Sequence, residues 1–164
     1  MEMKYDMRLE TEVASLLQTF KATSRREQAI YDYLKVELGR GARVEDRLWD
    51  VAQLAGANLL SYLYSRDSGA GGFGIRKAVV MSPRCPAGVL IEALKDSDWE
   101  VRKSAVLRPE TPLEACFAAA RKEWHPIVIE AMKERLGDDF IRARNYVVEP
   151  VAKSQVNDKE RELG

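Results

Sequence analysis

Two segments of the chain match each other residue by residue: Arg76-Lys-Ala-Val-Val-Met-Ser-Pro-Arg-Cys-Pro86 and Arg102-Lys-Ser-Ala-Val-Leu-Arg-Pro-Glu-Thr-Pro112. The offset is 26 residues throughout, and the Arg-Lys pair, both prolines and the apolar positions coincide. A further apolar run follows each second proline, so each copy predicts a helix, a proline-bounded turn and another helix. Self-similarity at this period is typical of helical repeat proteins, in which each unit buries its apolar face against the next.

A partial third copy begins near Trp124-His-Pro-Ile-Val-Ile-Glu-Ala-Met-Lys133. Glu123-Trp124 follows Asp98-Trp99 by 25 residues, so we expect the two tryptophans to hold equivalent positions at helix starts. Gly137 is predicted to end the last long helix.

The repeat resembles a known family. The residues that carry the likeness are Val79-Val-Met-Ser-Pro-Arg-Cys-Pro86, Leu90-x-x-Ala-Leu94, Asp96-Ser-Asp-Trp-Glu-Val-Arg102 and Val106-Leu-Arg-Pro-Glu-Thr-Pro112. They are similar to the leucine-rich repeat variant, a bacterial relative of HEAT repeats, over about residues 75–135. The resemblance implies α-helices alternating with short 3₁₀ segments in a right-handed superhelix. One member of that family carries an iron–sulfur cluster on N-terminal cysteines; this chain has none there, so no cluster is expected.

The fold class expected is all-α: a short right-handed α-solenoid with an N-terminal helical cap. We expect an N-terminal helical region at 1–67, a glycine-rich loop at 68–74, the helical repeat region at 75–145 and a flexible tail at 146–164. In the N-terminal region, Ser24-Arg-Arg-Glu27 fits a capping box and predicts a helix start. A further helix is expected from about Val44, with a break near Gly56.

Composition excludes several classes of protein. The chain has 164 residues, with 26 basic and 26 acidic side chains, which argues against coating nucleic acid or an anionic membrane. No apolar run approaches the ~18 residues of a membrane span, and the N-terminus lacks the apolar core of a signal peptide. Two cysteines and one histidine are too few for a usual zinc site. We therefore expect a soluble cytoplasmic protein with no cofactor, no metal and no membrane partner.

The repeat also supplies the candidate binding residues. Arg76-Lys77 and Arg102-Lys103 occupy matching positions, so stacking the units would place them close together as a basic ladder. Such a ladder would suit phosphates or an acidic protein surface, and pairing within the chain is the alternative. Trp99 and Trp124 either pack between units or act as exposed anchors for a partner, since tryptophan is enriched at binding hot spots.

The remaining motifs give weaker support for a catalytic or ligand-binding site. Gly69-Ala-Gly-Gly-Phe-Gly74 matches G-x-G-x-x-G, but no strand–helix–strand pattern surrounds it, so a flexible linker is favoured over a nucleotide site. His125 precedes Pro126 and is interpreted as a cap or surface residue. Cys85 and Cys116 are interpreted as small core residues. No constellation of acid, base and orienting group is evident, so we predict that the protein is not an enzyme.

These observations favour a non-enzymatic protein–protein interaction module. Its size suggests an accessory or inhibitory protein, encoded for instance by a phage or mobile element, that docks on a larger complex. The alternative is a nucleic-acid-binding HEAT-like protein that uses the Arg/Lys ladder, and a third possibility is an enzyme that uses the glycine loop. The sequence does not predict the oligomeric state.

Overall fold

The structure, a computed structural model, describes residues 6–66 and 73–145. Within these ranges the protein is all-helical, without a β-strand, which confirms the predicted all-α class. A short 3₁₀ segment, Val44–Arg47, leads directly into the third helix. The described residues form ten α-helices: α1 Met7–Thr19, α2 Arg25–Gly39, α3 Leu48–Leu54, α4 Ala57–Arg66, α5 Phe73–Met81, α6 Ala87–Ala93, α7 Trp99–Leu107, α8 Leu113–Ala120, α9 Pro126–Leu136 and α10 Asp139–Asn145.

The helix ends follow the local signals of the sequence. Ser24 caps α2, its hydroxyl accepting from the Glu27 amide at 3.2 Å. The Glu27 carboxylate does not complete the capping box; it accepts instead from the amide and hydroxyl of Thr23, at 2.7 and 2.8 Å. Gly137 ends α9 with a positive φ of 56°, a conformation that costs glycine little. The predicted helix starts and ends at Ser24 and Gly137 are confirmed.

Alternate helices pack side by side. The helix α5 packs against α3 and α7, and α7 packs against α9. The helices α6, α8 and α10 alternate with these along the chain: α6 packs on α5 and α7, and α8 packs on both α9 and α10. The proline-bounded turns predicted from the repeat are confirmed, because Pro86 and Pro112 are the N-cap residues of α6 and α8.

Arginine side chains connect neighbouring helices of this row at repeated positions. Arg108, just after α7, donates to the Met81 carbonyl at the end of α5 at 3.2 Å. Arg135, 27 residues later in α9, donates to the Val106 carbonyl at the end of α7 at 3.0 Å. A guanidinium at a helix C-terminus satisfies free carbonyls and interacts favourably with the helix dipole. Two arginines 27 residues apart thus each bind a carbonyl near the end of the preceding helix of the row.

The equivalence predicted for the two tryptophans is wrong. Trp99 is the first residue of α7, after the N-cap Asp98, whereas Trp124 comes before the N-cap His125 of α9. The helix α8 has eight residues where α6 has seven, so α9 begins 27 residues after α7, and Asp98 corresponds to His125 and Asp96 to Glu123. The tryptophans consequently occupy different environments.

One apolar core extends across the predicted boundary between the N-terminal and repeat regions. The Gln53 amide donates to the Ala78 carbonyl at 3.1 Å, and Arg84 pairs with Glu27 at 3.0 Å. Most of the predicted 68–74 loop and all of the predicted 146–164 tail lie outside the described residues. Phe73 and Gly74, assigned to that loop from sequence, form the start of α5.

Candidate functional site

Arg76 and Arg102, two of the predicted binding residues, lie inside the protein. Each is the fourth residue of its helix, α5 or α7, and points toward the acidic residue that precedes the next helix of the row. Arg76 Nε and Nη2 reach the Asp96 carboxylate at 2.8 and 3.2 Å. Arg102 Nε and Nη2 reach Glu123 at 2.9 and 3.0 Å. Side-chain exposure is 8% or less for all four residues, so the guanidinium groups have no surface to offer a ligand.

The two acidic partners are held ionised by the hydrogen bonds they accept. Burial alone would raise the pKa of Asp96, but hydrogen bonds from Arg76, the Asp98 amide and the Tyr64 hydroxyl outweigh it, and the pKa is lowered. Burial likewise opposes ionisation of Glu123, but Arg102 and the amides of His125 and Trp124 lower its pKa. Burial and the bond to Asp96 raise the pKa of the Tyr64 phenol, which therefore stays protonated as a donor. In both clusters the charged groups are paired with each other inside the protein, which indicates a structural role.

The lysines that follow these arginines lie on the surface. A groove of about 430 Å³ between α5 and α7 is lined by Lys77, Met81, Trp99, Glu100, Lys103, Ser104, Leu107 and Arg108. Lys77 pairs with Glu100 at 3.2 Å across the two helices. The predicted basic ladder is thus reduced to two lysines beside an acidic residue.

The groove continues between α7 and α9. A second concavity of about 500 Å³ shares Lys103 and Leu107 with the first and adds Ile127, Glu130 and Glu134. We call the two concavities together the α5–α7–α9 groove. Met81, Leu107 and Ile127 expose 42–44% of their surface in it. Large apolar side chains that share one surface concavity are a feature of binding sites.

Trp99 lines the first concavity of this groove and contacts His125, which in turn contacts Trp124. Trp99 is half-buried and stacks on the His125 ring at 4.6 Å between centroids and 8° between planes. Trp124 is tilted against His125 at 5.6 Å and is 72% exposed, the largest value among the exposed apolar side chains of the described residues. The His125 Nδ1 accepts from the Ile127 amide at 3.2 Å, which confirms its predicted role as a helix cap.

Groups with catalytic or metal-binding potential are placed unfavourably for chemistry. Within residues 6–66 and 73–145, no three His, Cys, Asp or Glu side chains are grouped to hold a metal ion. Cys85 and Cys116 are free and buried, as predicted. Burial raises the pKa of the Cys85 thiol to about 11 and also raises that of Cys116, so neither thiol is activated as a nucleophile. The G-x-G-x-x-G match falls mostly on residues that the structure does not describe.

The described helices also bear on membrane insertion. None of those in residues 6–66 and 73–145 is both long and apolar enough to cross a membrane.

Three of the residues singled out from the sequence, Lys77, Trp99 and Lys103, line the groove, whereas the sequence analysis missed Met81, Leu107 and Ile127. A signal for two of them exists: Met81 and Leu107 are 26 residues apart and each follows its lysine by four residues, so they share the lysine face of their helices. Their apolar character made them look like core residues.

Comparison of the chain with protein-family models, with curated proteins and with solved structures gave no match.

Proposed function

We propose that this protein is a non-enzymatic interaction module that binds another protein through the α5–α7–α9 groove. In this proposal the helices form a short right-handed solenoid of the leucine-rich repeat variant type, with α1 and α2 as its cap. The row of α3, α5, α7 and α9, the repeated arginine contacts and the family-like Pro-x-x-Pro turns support that architecture. The free thiols favour a reducing compartment such as the cytoplasm.

The observation that carries the proposal is the composition of the groove. Three half-exposed aliphatic side chains, Met81, Leu107 and Ile127, line two adjoining concavities that share Lys103 and Leu107, and Trp99 lines the first of them. Burying them would return roughly 25 cal/mol for each Å² of apolar surface removed from water. Tryptophan and a desolvated apolar centre with a charged rim are typical of protein interfaces.

Nucleic-acid binding has less support. It would require the guanidinium groups of Arg76 and Arg102 on the surface, and both are buried against carboxylates. The groove that remains alternates lysine with glutamate, a pattern that does not follow a phosphate backbone. We therefore propose that the partner is a protein that forms part of a larger complex.

A photo-crosslinking residue at Leu107 tests this function in the native cell. The matched control is Leu113, another partly exposed leucine of the same hairpin, which lies at the start of α8 and outside the groove. We expect one protein to crosslink from position 107 and not from 113, and Leu107→Glu to abolish its co-purification while Leu113→Glu does not. Equal crosslinking from both positions, or unchanged co-purification of the Leu107→Glu variant, would overturn the assignment of this surface.

A further inference from the structure

We propose that the occupant of the groove is an amphipathic helix of the partner, with a carboxylate on its apolar side that binds Lys103. This inference rests on the proposed function and specifies the chemistry of the partner. It assigns Lys103 as the residue that selects the partner, with Met81, Trp99 and Leu107 supplying the apolar contact.

The groove surface favours a helix over an extended segment. Its walls are α5, α7 and α9, whose backbone amides and carbonyls are bonded within the helices. An extended peptide gains its affinity from unpaired backbone groups at a sheet edge, which helix sides do not present. A helical segment brings its own backbone bonds already satisfied and lies in a groove between two helices at the usual interaxial spacing of about 8–10 Å.

The charges around the groove favour a carboxylate at its centre. Lys77 is paired with Glu100, and Arg108 is paired with Glu110 at 3.1 Å. Lys103 lines both concavities and has no ion-pair partner among residues 6–66 and 73–145; Glu134, which also lacks one within these residues, lines only the concavity between α7 and α9, so Lys103 is the unpaired charge of the concavity between α5 and α7. Its neighbours Met81, Trp99 and Leu107 would exclude water once covered, which strengthens a lysine–carboxylate contact and penalises a cation placed there.

Binding of synthetic peptides to the full chain tests the inference. The probes are two helical peptides of roughly 18 residues, five helical turns, with leucine at i, i+3, i+4 and i+7 spacing. One carries glutamate beside the leucine stripe, and the other carries lysine at the same positions. By isothermal titration calorimetry at low salt we expect the acidic peptide to bind at least about tenfold more tightly, with the difference shrinking as salt is added.

Variants of the protein assign this preference to one residue. We expect Lys103→Glu to remove or invert the preference and Lys103→Arg to keep it, while thermal unfolding checks that the fold is intact. Lys95→Glu is the matched control because Lys95 is exposed beyond α6, away from the groove, and should leave the preference unchanged. Equal affinity for the two peptides, absence of binding, or a preference that survives Lys103→Glu would overturn the inference.

The outcomes separate this inference from the proposed function. A specific crosslink from position 107 combined with no acidic preference rejects the acidic helix and leaves the interaction surface standing. Absence of that crosslink rejects the function itself. Self-association that Leu107→Glu abolishes in sedimentation experiments would identify a second copy of the chain as the occupant, and would also overturn the inference.

Discussion

Arg102 and Glu123 neutralise each other inside the core, so removing one leaves the other as a buried charge. We expect Arg102→Ala to lower the free energy of unfolding by about 3–5 kcal/mol in urea denaturation. Lys77→Ala, which breaks the half-exposed pair with Glu100, should cost at most about 1 kcal/mol.

A double variant distinguishes destabilisation by an unpaired buried charge from destabilisation by lost packing contacts. Arg102→Met combined with Glu123→Gln removes both charges, and the glutamine oxygen still accepts from the amides of Trp124 and His125, so the double variant should be less destabilised than Arg102→Met alone. If the double variant loses as much free energy of unfolding as its two single variants lose together, the role assigned to charge neutralisation is contradicted.

The same buried carboxylates predict how stability depends on pH. The pKa values of Asp96 and Glu123 are lowered from ordinary values of 3.8 and 4.5, so the folded state binds fewer protons than the unfolded state in acid. Their contribution is fully present above those ordinary values and is lost as the pH falls through the lowered folded values. We expect the free energy of unfolding to decline below about pH 4.5, with a shallower decline for Asp96→Asn. Equal slopes for the two proteins would argue against this role of Asp96.

At the scale of the element, the end of α7 depends on a side chain from α9. Arg135 donates to the carbonyls of Val106 and Arg108 and, further along the turn, to those of Pro109 and Thr111. We expect Arg135→Ala to cost about 1.5–3 kcal/mol and to speed hydrogen exchange at residues 108–111 while leaving α3 unchanged.

Two further variants test whether geometry as well as charge matters at this position. Arg135→Lys should rescue little, because a single ammonium cannot reach four carbonyls spread along a turn. Arg142→Ala, which removes an exposed arginine on α10, should leave the exchange of residues 108–111 unaltered. Full rescue by lysine would show that charge alone stabilises the end of α7.

The outcome for these elements shows what sequence can and cannot predict. Ser24, Gly137 and the two Pro-x-x-Pro turns act over a few residues, so their patterns predicted the helix ends and the starts of α6 and α8. The directions of Arg76 and Lys77 differ by one step of about 100° around the helix. Arg76 shares its face with the buried Val79 and Val80, and this pattern could have placed it inside. The additional residue in α8 is marked by no such sequence pattern. It shifts the start of α9 by one residue, so Trp124 lies before the N-cap His125 instead of at the first position of the helix.

At the scale of the whole molecule, the apolar core shared by the described helices predicts that they unfold together in one cooperative step. Cys85 and Cys116 lie in the same apolar cluster, and burial raises the pKa of both thiols. We expect a thiol reagent at pH 8 to modify neither cysteine in the native protein, and to modify both together in urea as the helical signal is lost. Modification of Cys85 well before the loss of helix would reveal a separately opening unit and contradict a common core.

The stacked rings of Trp99 and His125 have a consequence for observing this molecule. Trp124 is largely in contact with water and Trp49 is partly exposed, and neither lines the groove, whereas Trp99 is half-buried at its wall. Replacing Trp49 and Trp124 with phenylalanine would leave one indole whose emission reports on that wall. Binding of a partner in the groove could therefore be followed by the intrinsic fluorescence of Trp99, without an added dye.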